Sequence, residues 1–365
     1  MKISNTMKKA AGLMLVTTMA LSLTACGTTS SGNASASSTP AASAAPSATE
    51  SKYADTITVV WYPNESASDY DESRKHFEDL IAQATGKKVE EKLTTDYNIA
   101  IESLASGQAQ IGAVMGALGF LQAQDENANV LPLFVNTGAS GTLEDAVYYS
   151  WLAVNKADAD SYMKDGKCTI DNIKGKKISF VSNSSTSGFL FPSTSIIAHF
   201  ASDKLTQDDL AEGGDGKFFS EVLFGGSHQG SAVNLLAGKA DIAAFCDTEI
   251  INYATAESGD NKTAGSVWKI NSNATAPFDT VAGKEFVLIQ SLPVLNGPTA
   301  YNADTLSPED VKAIQDLFTS DTVSNDPQVF VPKDSTFKGS FKKTDKECFV
   351  AVDNSWYDAI RDMLK

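Results

Sequence analysis

A run of hydroxyl and amide side chains lies between a predicted strand and a predicted helix in the middle of the chain. Residues 182–187 are Ser-Asn-Ser-Ser-Thr-Ser; an apolar run ending at Val181 precedes them and a helical pattern containing Ile197 follows. The first N–H groups of a helix lack internal partners and the helix dipole is positive there, so this position favours an anion. An ordinary N-cap needs only one hydroxyl. We therefore expect an anion site here, and since no Gly-x-x-x-x-Gly-Lys pattern follows, it is not a nucleotide P-loop.

Single hydrogen-bond donors follow other predicted strands. His228 lies in a glycine-rich segment, where an imidazole N–H can reach an oxyanion and glycine lets the backbone approach a ligand. Tyr97 lies at a strand-to-helix junction, Tyr148 in a long β-rich run, and Tyr62 or Asn64 in the turn after the first strand. An isolated histidine often fills a core, and tyrosines in β-rich runs usually pack there. Their role therefore depends on whether the fold brings them together.

Short apolar runs and amphipathic stretches alternate in the first third of the chain. The predicted strands are 57–62, 88–93, 109–115 and 130–135, and the predicted helices are 69–85, 97–105 and 117–124. Gly86 and Gly107 follow the first two helices, a position where glycine commonly ends a helix. Alternation with short connections predicts a parallel sheet covered by helices.

Two long β-rich runs, Val147–Asn155 and Glu285–Leu295, flank a second alternation. Its predicted strands lie within 173–181, 218–224 and 240–245, its helices are 187–200 and 231–237, and two more helices follow at 308–319 and 356–364. This pattern predicts an α/β protein with two lobes, in which mixed or parallel sheets are joined by a two-strand hinge. The predicted boundaries are 55–150 and 291–365 for lobe 1 and 151–290 for lobe 2. Ligands of such folds bind in the crevice at the C-terminal ends of the strands.

The N-terminus has the pattern of an export signal. Three lysines precede an apolar run at 10–23, which is too short for a comfortable transmembrane helix, and Leu-Thr-Ala-Cys ends it at Cys26. This ending resembles a bacterial lipobox, so we expect a signal peptide over 1–25 and lipidation of Cys26; a plain signal peptide with an incidental cysteine is the alternative. Residues 27–54 are rich in Ser, Ala and Thr, a composition typical of a flexible tether.

The charge balance excludes some classes of partner. The chain has 29 Lys+Arg and 45 Asp+Glu, a net charge of −16. Cleavage of the predicted leader removes three lysines and no acid, which leaves 26 against 45, or −19. Nucleic-acid binders need Lys and Arg to neutralise phosphates, so we expect no nucleic-acid partner. A small anion is compatible with this charge, because a local pocket can be positive inside an acidic protein.

The cysteines and histidines give no metal or disulfide pattern. Three histidines and scattered cysteines do not provide the clustered ligands that zinc requires, so we expect no metal and no cofactor. After Cys26, Cys168, Cys246 and Cys348 remain, an odd number at wide spacing. We expect all three to be reduced, with one disulfide as the alternative.

Several motifs taken together resemble a known family. They are the lipobox ending at Cys26, Thr95-Asp96-Tyr97, Tyr148-Tyr149-Ser150, Ser185-Thr186-Ser187-Gly188, Gly226-Ser227-His228 and Gly238-Lys239-Ala240-Asp241. Together they resemble the phosphonate, phosphite and phosphate-binding proteins of ABC importers, over residues 56–340. The Ser-Thr-Ser-Gly turn and the Asp-Tyr helix start are the most specific of them, whereas Gly-Lys-Ala-Asp occurs in many solute-binding proteins. The resemblance implies a type II periplasmic-binding-protein fold.

The resemblance also implies roles for particular residues. Those implied to bind the phosphorus oxygens are Ser185, Thr186, Ser187, Tyr97, Tyr148 and His228. In aminophosphonate binders an acidic residue neutralises the ligand amine; Asp247 is the nearest candidate here, and Glu249 is the alternative. Where the family often has a carboxylate after the second crossing, this chain has Asn296, which argues against an amine-bearing ligand.

The function implied is that of a non-catalytic, extracytoplasmic binding lipoprotein, anchored to the outer face of the cell membrane by lipid alone. Its lobes would close on phosphonate, phosphite or phosphate, and its partners would be an ABC permease and ATPase; a monomer is expected. A binder of the same fold for another small anion or a thiamine-like ligand, or a sensor lobe, is the alternative. A surface hydrolase using a serine with His228 is disfavoured, because the chain has no Gly-x-Ser-x-Gly elbow.

Overall fold

The computed structural model describes residues 52–64 and 70–365. The predicted signal peptide, the predicted lipidation site Cys26 and residues 27–51 of the predicted tether lie outside the described residues. In the part that is described, no helix is both long and apolar enough to cross a membrane. These residues form one compact unit that contains two large sheets.

The strands and helices follow the predicted alternation, with several short strands added. In chain order the strands are β1 (Thr56–Trp61), β2 (Lys88–Lys92), β3 (Ile111–Ala113), β4 (Val130–Asn136), β5 (Val147–Asn155), β6 (Met163–Lys164), β7 (Lys167–Cys168), β8 (Lys177–Phe180), β9 (Glu221–Phe224), β10 (Ile242–Cys246), β11 (Ala254–Ser258), β12 (Val267–Ile270), β13 (Glu285–Leu295), β14 (Thr299–Asn302), β15 (Phe330–Pro332), β16 (Phe341–Lys343) and β17 (Phe349–Val350). The α-helices are α1 (Asp71–Thr85), α2 (Tyr97–Ala105), α3 (Ala117–Glu126), α4 (Phe191–His199), α5 (Gln207–Ala211), α6 (His228–Leu236), α7 (Pro308–Phe318), α8 (Asp321–Ser324) and α9 (Asp358–Met363).

The first sheet is mixed and has the strand order β17-β4-β14-β3-β1-β2. β1 pairs in parallel with β2 and β3, as the alternation predicts. β14, however, lies between β3 and β4 and is antiparallel to both. The four strands of the first third of the chain therefore run parallel to one another, as expected, and the sheet is mixed because β14 is antiparallel to its neighbours. The reason is that a strand from much later in the chain is inserted between two strands of that segment.

The second sheet has the order β11-β12-β13-β5-β10-β8-β9. β8 is parallel to β9 and β10, whereas β10, β5, β13, β12 and β11 each pair antiparallel with the next. The sheet thus combines a parallel βα part with an antiparallel part. The classification as an α/β protein with mixed sheets is confirmed.

The two long β-rich runs form β5 and β13, which pair with each other in the middle of the second sheet and through which the chain enters and leaves that sheet. β5 and β13 have the predicted bounds and pair antiparallel from Val147 opposite Leu295 to Asn155 opposite Phe286. On β5, Trp151 packs in the core formed with α6, and the adjacent Leu152 packs in the core formed with α4. Because both faces of β5 are covered by apolar side chains, its sequence is continuously apolar and does not alternate.

The first sheet is also covered on both faces, and one of its two cores extends to the other sheet. On one face, Phe77 of α1 packs against Phe318 of α7, with ring centroids 4.5 Å apart. On the other face, Phe120 of α3 shares a core with Val181 and Leu190, which follow β8 of the second sheet. The ends of β8 and of α3 therefore meet, and this contact brings strand ends of both sheets to one place.

The ends of two predicted helices show how local sequence sets the backbone. α1 ends before Gly86, whose φ of +68° lies in the left-handed region and whose N–H donates to the Ala82 carbonyl oxygen at 2.8 Å. The helix predicted at 187–200 begins with one π-helical turn at Thr186–Leu190 and then continues as α4. Such turns occur often at functional sites.

Candidate functional site

A cavity of about 70 Å³ lies where strand ends of the two sheets meet. It is large enough for about five water molecules, which is the scale of a small oxyanion. Its wall is formed by the segments after β1, β3 and β13, by the ends of β4 and β10 with the turn after β10, and by the starts of β5, α6 and β16. The lining residues are Asn64, Val114, Met115, Gly116, Asn136, Tyr148, His228, Cys246, Thr248, Glu249, Asn296, Gly297, Ser340 and Phe341.

His228 is a buried, neutral donor on the cavity wall. Its Nδ1 accepts a hydrogen bond from the Cys246 backbone N–H at 3.0 Å, so its proton lies on Nε2. Burial lowers the pKa of His228 to about 3, and the ring is 3% exposed. His228 is therefore a neutral imidazole with one N–H that is not used by Cys246.

The structure places His228 at the start of α6 and not in a loop before a helix that begins at Ser231. The reason is that the Ser227 hydroxyl accepts from the Gly230 N–H at 3.0 Å and caps the helix three residues earlier than predicted. The His228 backbone N–H donates to the Asn64 carbonyl oxygen at 3.2 Å, which ties this helix start to the turn after β1.

The hydroxyl-rich turn is buried beside the cavity and lies outside its wall. The Ser185 hydroxyl accepts from the Gly188 N–H at 3.1 Å, and the Thr186 hydroxyl accepts from the Leu118 N–H at 2.9 Å. The Ser187 carbonyl oxygen accepts from the Ser150 hydroxyl at 2.7 Å. Thr186 thus caps α3, a helix that covers the other sheet, and hydroxyls of the turn already have partners within the chain.

The three predicted tyrosines occupy different positions. Tyr148 lines the cavity, and burial raises its pKa, so it is a neutral phenol. Tyr62 and Tyr97 pack edge to face behind the wall, with ring centroids 4.4 Å apart. The Tyr62 hydroxyl donates to the Ser184 carbonyl oxygen at 3.0 Å, and the Tyr97 hydroxyl donates to Asn64 Oδ1 at 3.2 Å.

A glycine in α3 makes room for the Tyr62 ring. A Cβ atom on Gly119 would lie 2.0 Å from the Tyr62 hydroxyl oxygen, far inside contact distance. The sequence of α3 does not show that this position requires a residue without a side chain. Its role is apparent only from the approach of the Tyr62 side chain.

Of the two acidic candidates, only Glu249 lies on the cavity wall. The Asp247 carboxylate lies outside the wall and accepts from the backbone N–H groups of Tyr149 and Thr248, both at 2.9 Å, and from Asn261 Nδ2 at 2.7 Å. Burial raises the pKa of Asp247 to about 6 and that of Glu249 to about 7. Asp247 thus holds the start of β5 in place, while Glu249 faces the cavity.

The turn between β3 and α3 has a strained backbone at the cavity. Val114 has a φ of +53°, which is rare for a β-branched residue. Its carbonyl oxygen accepts from Asn64 Nδ2 at 3.0 Å, and the next N–H, that of Met115, donates to the Pro298 carbonyl oxygen at 3.2 Å. Strain of this kind is commonly found at binding sites.

Several cavity residues are absent from the sequence-based candidates. Asn136 ends β4, and its carbonyl oxygen accepts from Asn296 Nδ2 at 2.8 Å. A polar residue directly after a predicted strand is the signal that marks other candidates. Asn136 follows the predicted strand 130–135 in the same way, so the sequence contains a signal for it. Ser340 and Phe341 belong to a stretch without a helix or strand pattern, so the sequence contains no comparable signal for them.

The described residues contain no group of three or more His, Cys, Asp or Glu arranged to hold a metal ion. Cys246 is a buried free thiol on the cavity wall, and Cys168 and Cys348 are half-buried free thiols. The cavity therefore presents amides, hydroxyls, one imidazole, one thiol and one carboxylate.

Comparisons with known proteins identify the family of this chain. The sequence profile of the family described as "ABC transporter, phosphonate, periplasmic substrate-binding protein" matches residues 59–357. The phosphate-import protein PhnD of Mycolicibacterium smegmatis is 26% identical over 279 residues, which cover 75% of this chain and 74% of that protein.

Solved structures share the fold. A binding protein component of an ABC phosphonate transporter from Pseudomonas aeruginosa superposes with a TM-score of 0.59 at 20% identity, covering 85% of each chain. PhnD1 from Prochlorococcus marinus, solved in complex with methylphosphonate, has a TM-score of 0.58 at 13% identity and covers 85% of this chain and 97% of that one. The chain therefore belongs to the phosphonate family of ABC-transporter periplasmic substrate-binding proteins, has their two-lobed α/β fold, and is a binding protein and not an enzyme.

Proposed function

We propose that this chain captures a small phosphorus oxyanion, namely phosphonate, phosphite or phosphate, in the cavity between its lobes and delivers it to an ABC permease with its ATPase. The observation that carries the proposal is the neutral His228, which lines a cavity the size of such an ion and whose Nε2–H is not used by Cys246. The M. smegmatis relative is a phosphate-import protein, and the P. marinus neighbour was solved with methylphosphonate, which supports this class of ligand.

The electrostatics of the cavity suit an anion that is held by fixed neutral donors. Among the described residues, no Lys or Arg lines the cavity. Both α3 and α6 begin at the cavity wall, α3 directly after its N-cap Gly116 and α6 at His228. Each helix therefore directs the positive end of its dipole towards the cavity. Donors fixed in a closed site select a ligand by the number and placement of its oxygens, because an unmatched buried donor is costly.

The hydroxyl-rich turn joins the site through the contact between the lobes. Thr186 already meets the Leu118 N–H at the start of α3. We infer that a bound oxyanion accepts from the Thr186 hydroxyl and from neighbouring N–H groups, with Ser185 and Ser187 completing this side. Tyr97 and Tyr62 support it from behind, since the Tyr62 hydroxyl reaches the Ser184 carbonyl oxygen.

The lobes are proposed to move about β5 and β13. In this proposal, lobe 1 comprises 55–150 and 291–365 and lobe 2 comprises 151–290, so both crossings lie at a boundary. Contacts between the proposed lobes, such as Asn64 with His228, form only when the lobes are closed. The closed monomer is the form that a permease would recognise.

Calorimetric titration of the mature protein tests the ligand class. Phosphate, phosphite, methylphosphonate and 2-aminoethylphosphonate are titrated separately, with sulfate as a tetrahedral oxyanion without phosphorus. We expect saturable heat with at least one phosphorus oxyanion. If none of the four gives heat, the oxyanion proposal is wrong.

We also propose that the protein is anchored by a lipid on Cys26 after removal of residues 1–25. The support is the Leu-Thr-Ala-Cys ending and the Ser/Ala/Thr-rich segment that follows it. Substitution Cys26→Ala is expected to release the protein from the membrane fraction, as measured by fractionation and by the mass of its N-terminal peptide. An unmodified Cys26 in the membrane fraction would contradict the anchor.

A further inference from the structure

Among the described residues, Glu249 is the one carboxylate on the cavity wall, and it faces the space where an anion would lie. Glu249 is 8% exposed and follows β10 at the same strand end as Cys246 and Thr248. Within the described residues, the hydrogen bond to its carboxylate comes from the Thr248 hydroxyl, at a long 3.4 Å to Oε1. A buried carboxylate needs donors, so the remaining capacity of Glu249 points to a donor supplied by the ligand.

The groups around Glu249 in the described part of the chain do not provide a positive charge. On its own turn lie Asp247 and the Cys246 thiol, β5 contributes the Tyr148 phenol, and α6 contributes the neutral His228. Lys338, on the segment that also carries the lining residues Ser340 and Phe341, binds elsewhere, to Thr275. Burial, followed by the Asp247 charge, raises the pKa of Glu249 to about 7, so its carboxyl can gain or lose a proton near neutrality.

We propose that Glu249 shares one proton with an oxygen of the bound phosphorus oxyanion, so that the cavity takes up the ligand together with a single proton. The inference rests on the proposed function. An ionised Glu249 accepts from a P–OH group, or a protonated Glu249 donates to a P–O⁻ group, and the two descriptions differ only in the position of that proton. The pair keeps two negative charges, and the positive ends of the dipoles of α3 and α6, which begin at the same wall, act on it in place of the Lys or Arg that the described wall lacks.

The proton balance gives the expected pH dependence. Methylphosphonate and phosphite lose their last ionisable proton near neutrality, so above that pKa and the pKa of Glu249 neither partner carries the proton, binding takes up one from the buffer, and affinity falls about tenfold per pH unit. Below both pKa values, each carries one proton, so binding releases one and affinity falls as the pH decreases. The affinity is therefore expected to be greatest near neutral pH.

Proton uptake is measured by calorimetry at about pH 8.5 in buffers of different ionisation enthalpy, with methylphosphonate and phosphite as the probes, because their dianions, unlike that of phosphate, carry no P–OH group. The wild type is expected to take up about one proton per ligand. In Glu249→Gln the amide N–H replaces the shared proton, so binding should persist with uptake near zero and without the alkaline loss of affinity. Glu257→Gln, an exposed glutamate on β11, is the matched control and should behave as the wild type.

The outcomes separate the two proposals. If the wild type binds methylphosphonate or phosphite without taking up a proton, or if Glu249→Gln retains the uptake, the shared proton is wrong while the oxyanion site stands. The wild-type measurement alone decides this if Glu249→Gln does not fold. If 2-aminoethylphosphonate binds at least about tenfold more tightly than methylphosphonate and Glu249→Gln abolishes that difference, Glu249 binds an ammonium group and the inference is overturned. If no phosphorus oxyanion gives heat with the wild type, the proposed function itself fails and this inference fails with it.

Discussion

At the scale of single residues, Thr186 joins the two sides of the site through one hydrogen bond. Its hydroxyl accepts from the Leu118 N–H at 2.9 Å, and both groups are buried. We expect Thr186→Val, which removes the hydroxyl and keeps the shape, to weaken phosphate or methylphosphonate binding by about 1–3 kcal/mol. The measurement is calorimetric affinity alongside urea unfolding.

Thr194 provides a matched control for this substitution. It lies in α4, and its buried hydroxyl oxygen has no hydrogen-bond partner among the residues that the structure describes. Thr194→Val should therefore leave affinity unchanged and leave the free energy of unfolding equal or slightly higher. Equal affinity in Thr186→Val and Thr194→Val would place the anion away from the hydroxyl-rich turn.

His228 gives a prediction about acid stability. Its pKa is about 3 in the folded protein because of burial, below the usual value of 6.5, so its contribution to stability is present above pH 6.5 and is lost as the pH falls towards 3. Between about pH 6.5 and 4, the wild type should lose on the order of 2–3 kcal/mol more than His228→Gln. Asp247 and Glu249 are present in both proteins, so their opposite contributions cancel in the difference.

Urea unfolding at a series of pH values measures this difference. His199, which is 38% exposed at its side chain, is the control, and His199→Gln should retain the full acid loss of the wild type. Parallel pH profiles for the wild type and His228→Gln would show that His228 is not held neutral by burial.

Sequence reasoning located part of the site. His228, Tyr148 and Glu249 are on the wall because each follows or begins a strand, a position that the hydropathy pattern identifies. The choice of Asp247 over Glu249 as the nearer acid depends on side-chain direction, which strand ends do not specify. The Asp247 carboxylate is turned to Asn261 and the backbone, a contact across distant parts of the chain that no local pattern encodes.

At the scale of elements, the segment 333–343, here called the strap, connects the cavity to both sheets. Ser340 and Phe341 line the cavity from this strap. Lys338 reaches across to the other half of the molecule, where its Nζ donates to the Thr275 hydroxyl at 3.1 Å and lies 5.2 Å from the centre of the Tyr253 ring. The strap therefore contacts both of the proposed lobes, and we expect it to stabilise the proposed closed form.

Substitution Lys338→Met should weaken this closure while keeping the length of the side chain. A cation–π contact of this kind contributes about 0.5–1 kcal/mol, so we expect ligand affinity to fall by about two- to fivefold, mainly through faster dissociation. Stopped-flow dissociation of phosphate or methylphosphonate provides the measurement. Lys333→Met, at an exposed position of the same strap, should dissociate at the wild-type rate; equal rates in both variants would argue against the role of Lys338.

Elements differ in how well the sequence predicts them. The bounds of β5 and β13 follow from long apolar runs, which burial on both faces imposes. The bounds of α2 follow from a helical pattern, which burial on one face imposes. β14 and β17 were not predicted, since strands this short give little periodicity, and their existence depends on pairing with β4. The pairing partners, not the local residues, determine those strands.

At the scale of the whole molecule, the negative charge acts against the approach of an anion. The chain without its predicted leader carries a net charge of −19, and the cavity wall has no Lys or Arg among the described residues. Raising ionic strength from about 0.01 M to about 0.15 M screens this repulsion. We expect the association rate of phosphate to stay constant or to increase, as measured by stopped flow. A marked decrease would indicate a basic approach path that attracts the anion.

The position of β14 has a consequence for the order in which an exported chain assembles. The strands of the second sheet all come from residues 147–295, so that sheet can be completed before the end of the chain has been translocated. The first sheet cannot, because β3 and β4 expose facing edges until Thr299–Asn302 arrives to fill the gap between them. The half of the molecule that leaves the translocon first is therefore completed last, and its open edges need protection in the interval.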